Sequence, residues 1–137
     1  MKMDENCVFC DKKKIIGLFA ERYGFYINAS VGQISDGGYV LIIPKEHVPC
    51  LGALNEEQTK SFLRTRADVW DKIFQKYHRS VANNIITFEH GIVGQTVKHA
   101  HLHILPTVVD LTPKIRADFP EAEFEETEHK IRQLKLL

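Results

Sequence analysis

The chain lacks a net charge of either sign: 18 Lys plus Arg balance 18 Asp plus Glu across 137 residues, with histidine neutral. A neutral domain offers no broad basic footprint, so a nucleic-acid partner is not expected, although a local phosphate site remains open. No apolar run approaches the roughly 20 residues of a membrane helix, so no membrane partner is expected. The opening MKMDENCVFCDKKK is followed by no apolar core of the secretory type. Cysteines are few and odd in number (Cys7, Cys10 and Cys50). That excludes a disulfide framework and predicts reduced thiols in the cytoplasm. Internal repeats, low-complexity tracts and Pro/Ser-rich linkers are absent. The 44% hydrophobic and 26% charged fractions match an ordinary globular protein and exclude disorder for most of the chain.

What is present patterns as one α+β domain. Tyr23 to Asn28 alternates, with Tyr23, Phe25 and Ile27 on one side and Gly24, Tyr26 and Asn28 on the other. This predicts a half-buried strand. Gly37-Gly38 marks a turn, and Tyr39 to Ile43 predicts a more buried strand ending at Pro44, antiparallel to the first. A helix begins near Asn55. Asn55 suits the N-cap, Glu56 and Glu57 suit the positive helix end, and Gln58 completes a capping box. Phe62, Arg66, Val69, Trp70, Ile73, Phe74 and Tyr77 recur at helical spacing, one stripe that packs on the sheet with the Arg66 stem at its edge. Ile85 to Phe88 and His99 to Leu105 predict two more strands, with Glu89 to Val97 as the loop between. From about Pro120, acidic residues precede basic ones, and Phe124, Ile131 and Leu134 form a thin apolar stripe, so a C-terminal helix is expected. The class is α+β: an antiparallel sheet, one long packing helix and a C-terminal helix. A single domain is expected over 1–137, its core about 7–110 and its helical extension about 111–137.

The informative segment is Gly94 to Pro106, GQTVKHAHLHILP. Alternate strand residues share a face. His99, His101 and His103 therefore line one side, and Ala100, Leu102 and Ile104 the other. Neighbouring imidazoles oppose joint protonation and stay partly neutral near neutral pH. A neutral imidazole is both a nucleophile and a proton carrier. The run is interleaved with core residues in mid-chain, which excludes an affinity tag.

His99-Ala100-His101-Leu102-His103-Ile104-Leu105 resembles the signature of the histidine triad (HIT) superfamily of nucleotide hydrolases and transferases. Gly94-Gln95-Thr96-Val97 is similar to the loop that precedes that signature. Ile42-Ile43-Pro44-Lys45-Glu46-His47 is similar to its strand-end PK-x-H, and Cys7-Val8-Phe9-Cys10 to the C-x-F-C start of many bacterial members. The likeness covers roughly residues 7 to 110, and GQTVKH followed by the histidine strand looks most like the dinucleoside polyphosphate hydrolase branch.

The resemblance implies that His101 attacks the α-phosphorus of a nucleotide, forming a nucleotidyl-imidazole that water hydrolyses. It implies a backbone carbonyl on the other nitrogen of His101, a phosphate contact for His103, and His99 as the first triad member. Gln95 and Thr96 would lie by the phosphate. Asn28 reads both as a ribose-binding amide and as a strand-end turn residue. An apolar slot for a purine is expected from Phe9, Phe19 or Ile27, with Tyr26 at its border. Lys45 and Lys98 read first as solvated lysines and second as attractors of a polyphosphate. One stretch departs from the family pattern: Phe88-Glu89-His90-Gly91 stands where an Asn or Gln usually precedes GQ(S/T), in a loop that reads as one residue short. Either Glu89 orients His90 or a substrate amine, or the leaving group differs. His90 is then a candidate acid or base, beside its plainer reading as a polar loop residue.

Cys7 and Cys10 have the spacing of half a zinc site. The resemblance implies His47 and His99 as the other ligands of a structural Cys2His2 zinc centre. The plain alternative is two ordinary cysteines without metal. Cys50 reads as a small buried residue. The family also implies a homodimer built by sheet extension and helix contacts. The expected function is a nucleotide hydrolase or transferase. The alternatives are a non-catalytic nucleotide-binding module using Asn28, Thr96 and His103, and a metal-storage or sensing protein.

Overall fold

The computed structural model describes residues 1–33, 37–76 and 84–120. Five strands, β1 (Leu18–Arg22), β2 (Phe25–Ala29), β3 (Val40–Pro44), β4 (Ile85–Phe88) and β5 (Leu102–Pro106), form one sheet in the order β1-β2-β3-β5-β4. Every pairing is antiparallel. Helix α1 (Glu56–Lys76) lies between β3 and β4 in the chain, and a short helix α2 (Thr112–Asp118) follows β5. This is the α+β arrangement that the pattern of strands and helix predicts. The helix expected from about Pro120, with Phe124, Ile131 and Leu134, lies outside the described residues beyond that point, as does Tyr77.

The β1–β2 hairpin corrects the sequence reading in two ways. Leu18–Arg22 is a strand that the pattern does not announce, and Tyr23-Gly24 is its turn rather than the start of β2. Both turn residues have positive φ, +49° and +89°. A two-residue loop of that hand matches the right-handed twist of the strands it joins. Tyr23 therefore leaves the predicted face, and its ring sits 4.2 Å from the Arg64 guanidinium carbon. Gly17 fixes the other end of β1. Its φ is +81°, and a Cβ there would stand 2.6 Å from the Ala29 carbonyl oxygen. The Ala29 N–H donates to the Gly17 carbonyl at 2.9 Å.

The two faces of the sheet bury different sets. Phe25, Ile27, Val40, Ile42, Leu102 and Ile104 pack with Phe62, Val69 and Ile73 of α1. Tyr26, Leu41 and Ile43 pack on the opposite face with Ile15, Phe9 and Leu18. Each fully buried aliphatic or aromatic side chain contributes about 1.5–3 kcal/mol of transfer free energy. Helix α1 starts as the capping box predicts: Gln58 N donates to Asn55 Oδ1 at 2.8 Å, and Asn55 N to Gln58 Oε1 at 2.9 Å. The buried helix face is Phe62, Thr65, Val69 and Ile73. Trp70 and Phe74, expected in the same stripe, are half-buried on a flank beside Leu63 and Arg66.

β5 begins at Leu102 and not at His99. The β3 ladder reaches only the Ile42–Leu102 pair. Beyond it, Ala100 N donates to Val48 O at 2.8 Å and His99 N to Val97 O at 2.8 Å. The first two histidines of the run thus leave the ladder while the third stays in it.

Candidate functional site

The release of His99 from the ladder turns its ring toward the N-terminal segment. His99 is fully buried, and its Nε2–H donates to the Pro44 carbonyl at 2.7 Å. That bond leaves the lone pair on Nδ1, which lies 3.5 Å from Cys7 Sγ and 3.6 Å from Cys10 Sγ. His47 brings Nδ1 to 3.3 Å from Cys10 Sγ. The ligand atoms of Cys7, Cys10, His47 and His99 all lie within 4.8 Å of one another, so this quartet can hold a metal ion. Burial lowers the pKa of His99 and raises that of Cys10. A backbone carbonyl on the outer nitrogen of a ligating imidazole is the usual way such a ring is oriented. Phe9, between the two cysteines, packs edge-on against His99 and His101, with ring centroids 5.9 and 5.3 Å away.

His101 is buried, and its Nδ1–H donates to the His99 carbonyl at 2.7 Å. Its Nε2 consequently carries a lone pair, with no hydrogen-bond partner among the described residues. Burial is the main cause that lowers its pKa, which favours the neutral ring. His103 lies 4.9 Å from His101 between ring centroids. Burial first, then the neighbouring His101 and His90, push the pKa of His103 down to about 4. Its Nδ1 is 2.5 Å from the Tyr39 hydroxyl, its Nε2 is buried without a partner, and the Phe88 ring is stacked on it at 4.4 Å and 6°.

Asn28 lies inside β2, paired with Leu41, so it is not a turn residue. Its Nδ2 donates to the carbonyls of Ile16 and Ala29 at 3.3 and 3.4 Å, while its Oδ1 is buried and unpaired. Asn28, Leu41, His103 and Phe88 form one row across four strands. Gln95 is buried and donates to the Pro49 carbonyl at 3.1 Å, whereas Thr96 is exposed. Lys98 donates to the Ile92 and Gln95 carbonyls and closes the loop on itself. Lys45 pairs with Glu21 at 2.5 Å. Glu89 accepts the Leu51 N–H at 2.7 Å, which fastens the loop to the turn at Leu51–Ala53. His90 packs against Phe88 and His103 at 5.3 and 5.1 Å.

Of the residues expected to wall a purine slot, Phe9 is on the histidine face with Tyr26. Ile27 packs on the helix face, and Phe19 and Ile27 line a cavity there beside Val69 and Ile73. The strand alternation of β2 separates Ile27 from Tyr26. Cys50, expected to be buried, is exposed because its extended backbone opens the surface turn at Leu51–Ala53. Tyr39 and Phe88 escape a sequence reading of the site. The one available signal is register: Phe88 ends the strand that pairs with His103.

Residues 35–109 match the HIT domain family. The chain belongs to the HIT family. This HIT-domain protein is 31% identical over 104 residues to the asymmetrical bis(5′-nucleosyl)-tetraphosphatase of Schizosaccharomyces pombe, covering 72% of the chain and 53% of that protein. It is also 31% identical over 81 residues to the nitrilase and fragile histidine triad fusion protein NitFhit of Caenorhabditis elegans, covering 59% of the chain and 18% of the relative. The chain therefore spans about half or less of these relatives. Among solved structures, a HIT family hydrolase from Clostridium thermocellum superposes with a TM-score of 0.62 at 28% identity, over 82% of this chain and 99% of that one. A HIT family protein from Bacillus anthracis shares the fold with a TM-score of 0.65 at 20% identity, over 93% and 86% of the two chains. No helix among the described residues is long and apolar enough to cross a membrane.

Proposed function

We propose that this HIT-domain protein is a nucleotide hydrolase or nucleotidyl transferase. Its substrate is a dinucleoside polyphosphate or nucleoside phosphoramidate, attacked at the α-phosphorus by His101. The observation that carries the reading is a set of unfilled polar atoms on one sheet face. Asn28 Oδ1 and His103 Nε2 are both buried and unpaired, and both residues flank Leu41 in the ladder. Buried polar groups are almost always satisfied, so such orphans mark a ligand. A 5′-nucleotide supplies the missing partners: a ribose hydroxyl for Asn28, a phosphoryl oxygen for His103 and an electrophilic phosphorus for His101. Thr96 and the backbone around Gln95 border the same phosphate. The tetraphosphatase from S. pombe supports this substrate class.

In the first step the Nε2 lone pair of His101 bonds to phosphorus. The bond to the leaving oxygen or nitrogen breaks, and the leaving group departs with that electron pair, a phosphate oxygen as the anion and a nitrogen as the neutral amine after taking a proton from solvent. The His99 carbonyl, 2.7 Å from Nδ1, stabilises the cationic ring that forms. In the second step a water oxygen replaces Nε2 on phosphorus, its proton passes to solvent, and a nucleoside monophosphate leaves.

Zinc fits the quartet. A tetrahedral ion with about 2.3 Å to sulfur and about 2.05 Å to nitrogen sets sulfur and nitrogen donors about 3.6 Å apart; three of the four S···N distances are 3.3 to 3.6 Å, and all four ligand atoms lie within 4.8 Å of one another. Cys7, Cys10, His47 and His99 would hold it, and it would pin the N-terminal segment against the triad without touching substrate. A homodimer is the proposed assembly. Its support is the edge strand β4 and an α1 flank that no described residue covers at Leu63, 52% exposed.

The test is an assay with diadenosine polyphosphates and adenosine 5′-phosphoramidate, quenched for intact-mass analysis. Release of adenosine monophosphate with a nucleotidyl adduct on the protein is expected. His101→Ala should show neither, and full activity in that variant would remove the proposed nucleophile.

A further inference from the structure

Tyr39 lies 64 residues before His103 in the chain, yet its hydroxyl reaches His103 Nδ1. Its backbone is held by the Ser30 N–H, which donates to the Tyr39 carbonyl at 3.0 Å, and by one side chain. Gln33 Oε1 accepts the Tyr39 N–H at 3.1 Å, and Gln33 Nε2 donates to the carbonyls of Tyr39 and Ser30 at 2.7 and 2.8 Å. The phenol then reaches the sheet face, where its oxygen lies 2.5 Å from His103 Nδ1 and its ring is nearly parallel to the imidazole at 25°. Phe88 is stacked on the same imidazole. His103 is thus fixed in plane by two aromatic rings and in rotation by one hydroxyl.

A neutral imidazole carries one hydrogen, on either nitrogen, and the partner of one nitrogen decides the state of the other. A phenol is protonated at neutral pH and can donate or accept; the Tyr39 hydroxyl has no other partner among the described residues, so its hydrogen is directed at Nδ1. Burial raises the pKa of Tyr39 further. With Nδ1 accepting from Tyr39, the ring hydrogen stands on Nε2, the buried atom that lacks a partner. We infer that Tyr39 is a positioning residue that locks His103 as the Nε2–H tautomer, so that this ring meets substrate as a hydrogen-bond donor.

The consequence lies in the contrast with His101. There the His99 carbonyl takes the Nδ1 hydrogen and leaves Nε2 as a lone pair. Two imidazoles 4.9 Å apart are set in opposite tautomers, one by an acceptor and one by a donor. One ring can then attack phosphorus while its neighbour binds the oxygen that gains charge. Were both Nε2 atoms lone pairs, two acceptors would face one anion. This catalytic consequence rests on the nucleotide reading above; the tautomer assignment does not.

The experiment uses the full chain, uniformly labelled with nitrogen-15, in long-range proton–nitrogen correlation spectra at neutral pH. In the wild type, His103 should show a protonated Nε2 and an unprotonated Nδ1, and His101 the reverse. In Tyr39→Phe, which keeps the ring, His103 should lose the single tautomer while His101 keeps its own. The kcat of this variant should fall about tenfold, the equivalent of one hydrogen bond, with KM changed less than about threefold. An unchanged His103 pattern in Tyr39→Phe would overturn the inference. Gln33→Ala provides a second route: a folded variant with a loosened Tyr39 should shift the same His103 signals, and no shift would count against it. A wild type that turns over no nucleotide but shows the tautomer change would sink only the proposed activity.

Discussion

His99 and His101 are joined by one hydrogen bond, from the Nδ1–H of His101 to the His99 carbonyl at 2.7 Å. The ring of that same His99 points at Cys7 and Cys10. The residue that would bind metal with its side chain therefore sets the tautomer of the proposed nucleophile with its main chain. The two sites are adjacent in covalent structure and do not share a ligand.

Metal removal should accordingly disturb both stability and turnover. Prolonged chelation, or Cys10→Ser, is expected to lower the melting temperature by several degrees or more. It should also reduce kcat. Elemental analysis should find one zinc per wild-type chain and one in His101→Ala. A metal content near zero in freshly purified wild type would contradict the assignment.

His101→Ala should lower kcat by ~10³-fold or more. It should leave the affinity for adenosine monophosphate within about threefold, because the ribose and phosphate contacts remain. Single-turnover assays and calorimetric titration measure the two quantities separately.

Asn28→Ala should show the opposite division. Its Oδ1 has no partner in the absence of ligand, while its Nδ2 bonds to the Ile16 and Ala29 carbonyls are lost too, so binding is compared at a temperature where the variant is folded. Removing the Oδ1 should weaken nucleotide binding by about tenfold, the value of one lost hydrogen bond. An unaltered dissociation constant would move the ribose elsewhere on this face.

Acid should destabilise the fold through His103. Its pKa is about 4 in the folded protein against an ordinary 6.5. Between those values the unfolded chain binds more protons than the native one, so stability falls as pH drops through this window and is fully present above about 6.5. Urea midpoints measured from pH 7.5 down to 4.5 should decline, and His103→Asn should decline less steeply. Equal slopes would assign the acid sensitivity to other groups.

Gly17→Ala should cost about 2–3 kcal/mol in urea denaturation. The new Cβ would lie 2.6 Å from a main-chain oxygen at a φ of +81°. A neutral result would mean that the β1–β2 hairpin shifts to make room.

The helix and the inner strands are legible in the sequence because their signals are local. Asn55 and Gln58 announce a start that the reciprocal hydrogen bonds bear out, and Ile85–Phe88 emerges at its predicted bounds. β1 is not legible. LFAER does not alternate cleanly, and a tyrosine at positive φ hides the turn that follows it. The metal quartet draws on three separate stretches of chain, so spacing alone offers only the cysteine half. Phe88 joins the site through strand register and Tyr39 through its hydrogen bonds to Gln33, neither of which a short window of residues encodes. The destination of Glu89, a main-chain N–H on a distant turn, is hidden for the same reason.

Cys50 stands exposed while Cys7 and Cys10 are buried. It adjoins Pro49, whose carbonyl holds Gln95. A maleimide dye should therefore attach at a single point on the rim of the GQTV loop, giving the protein a native handle for an optical sensor of ligand arrival.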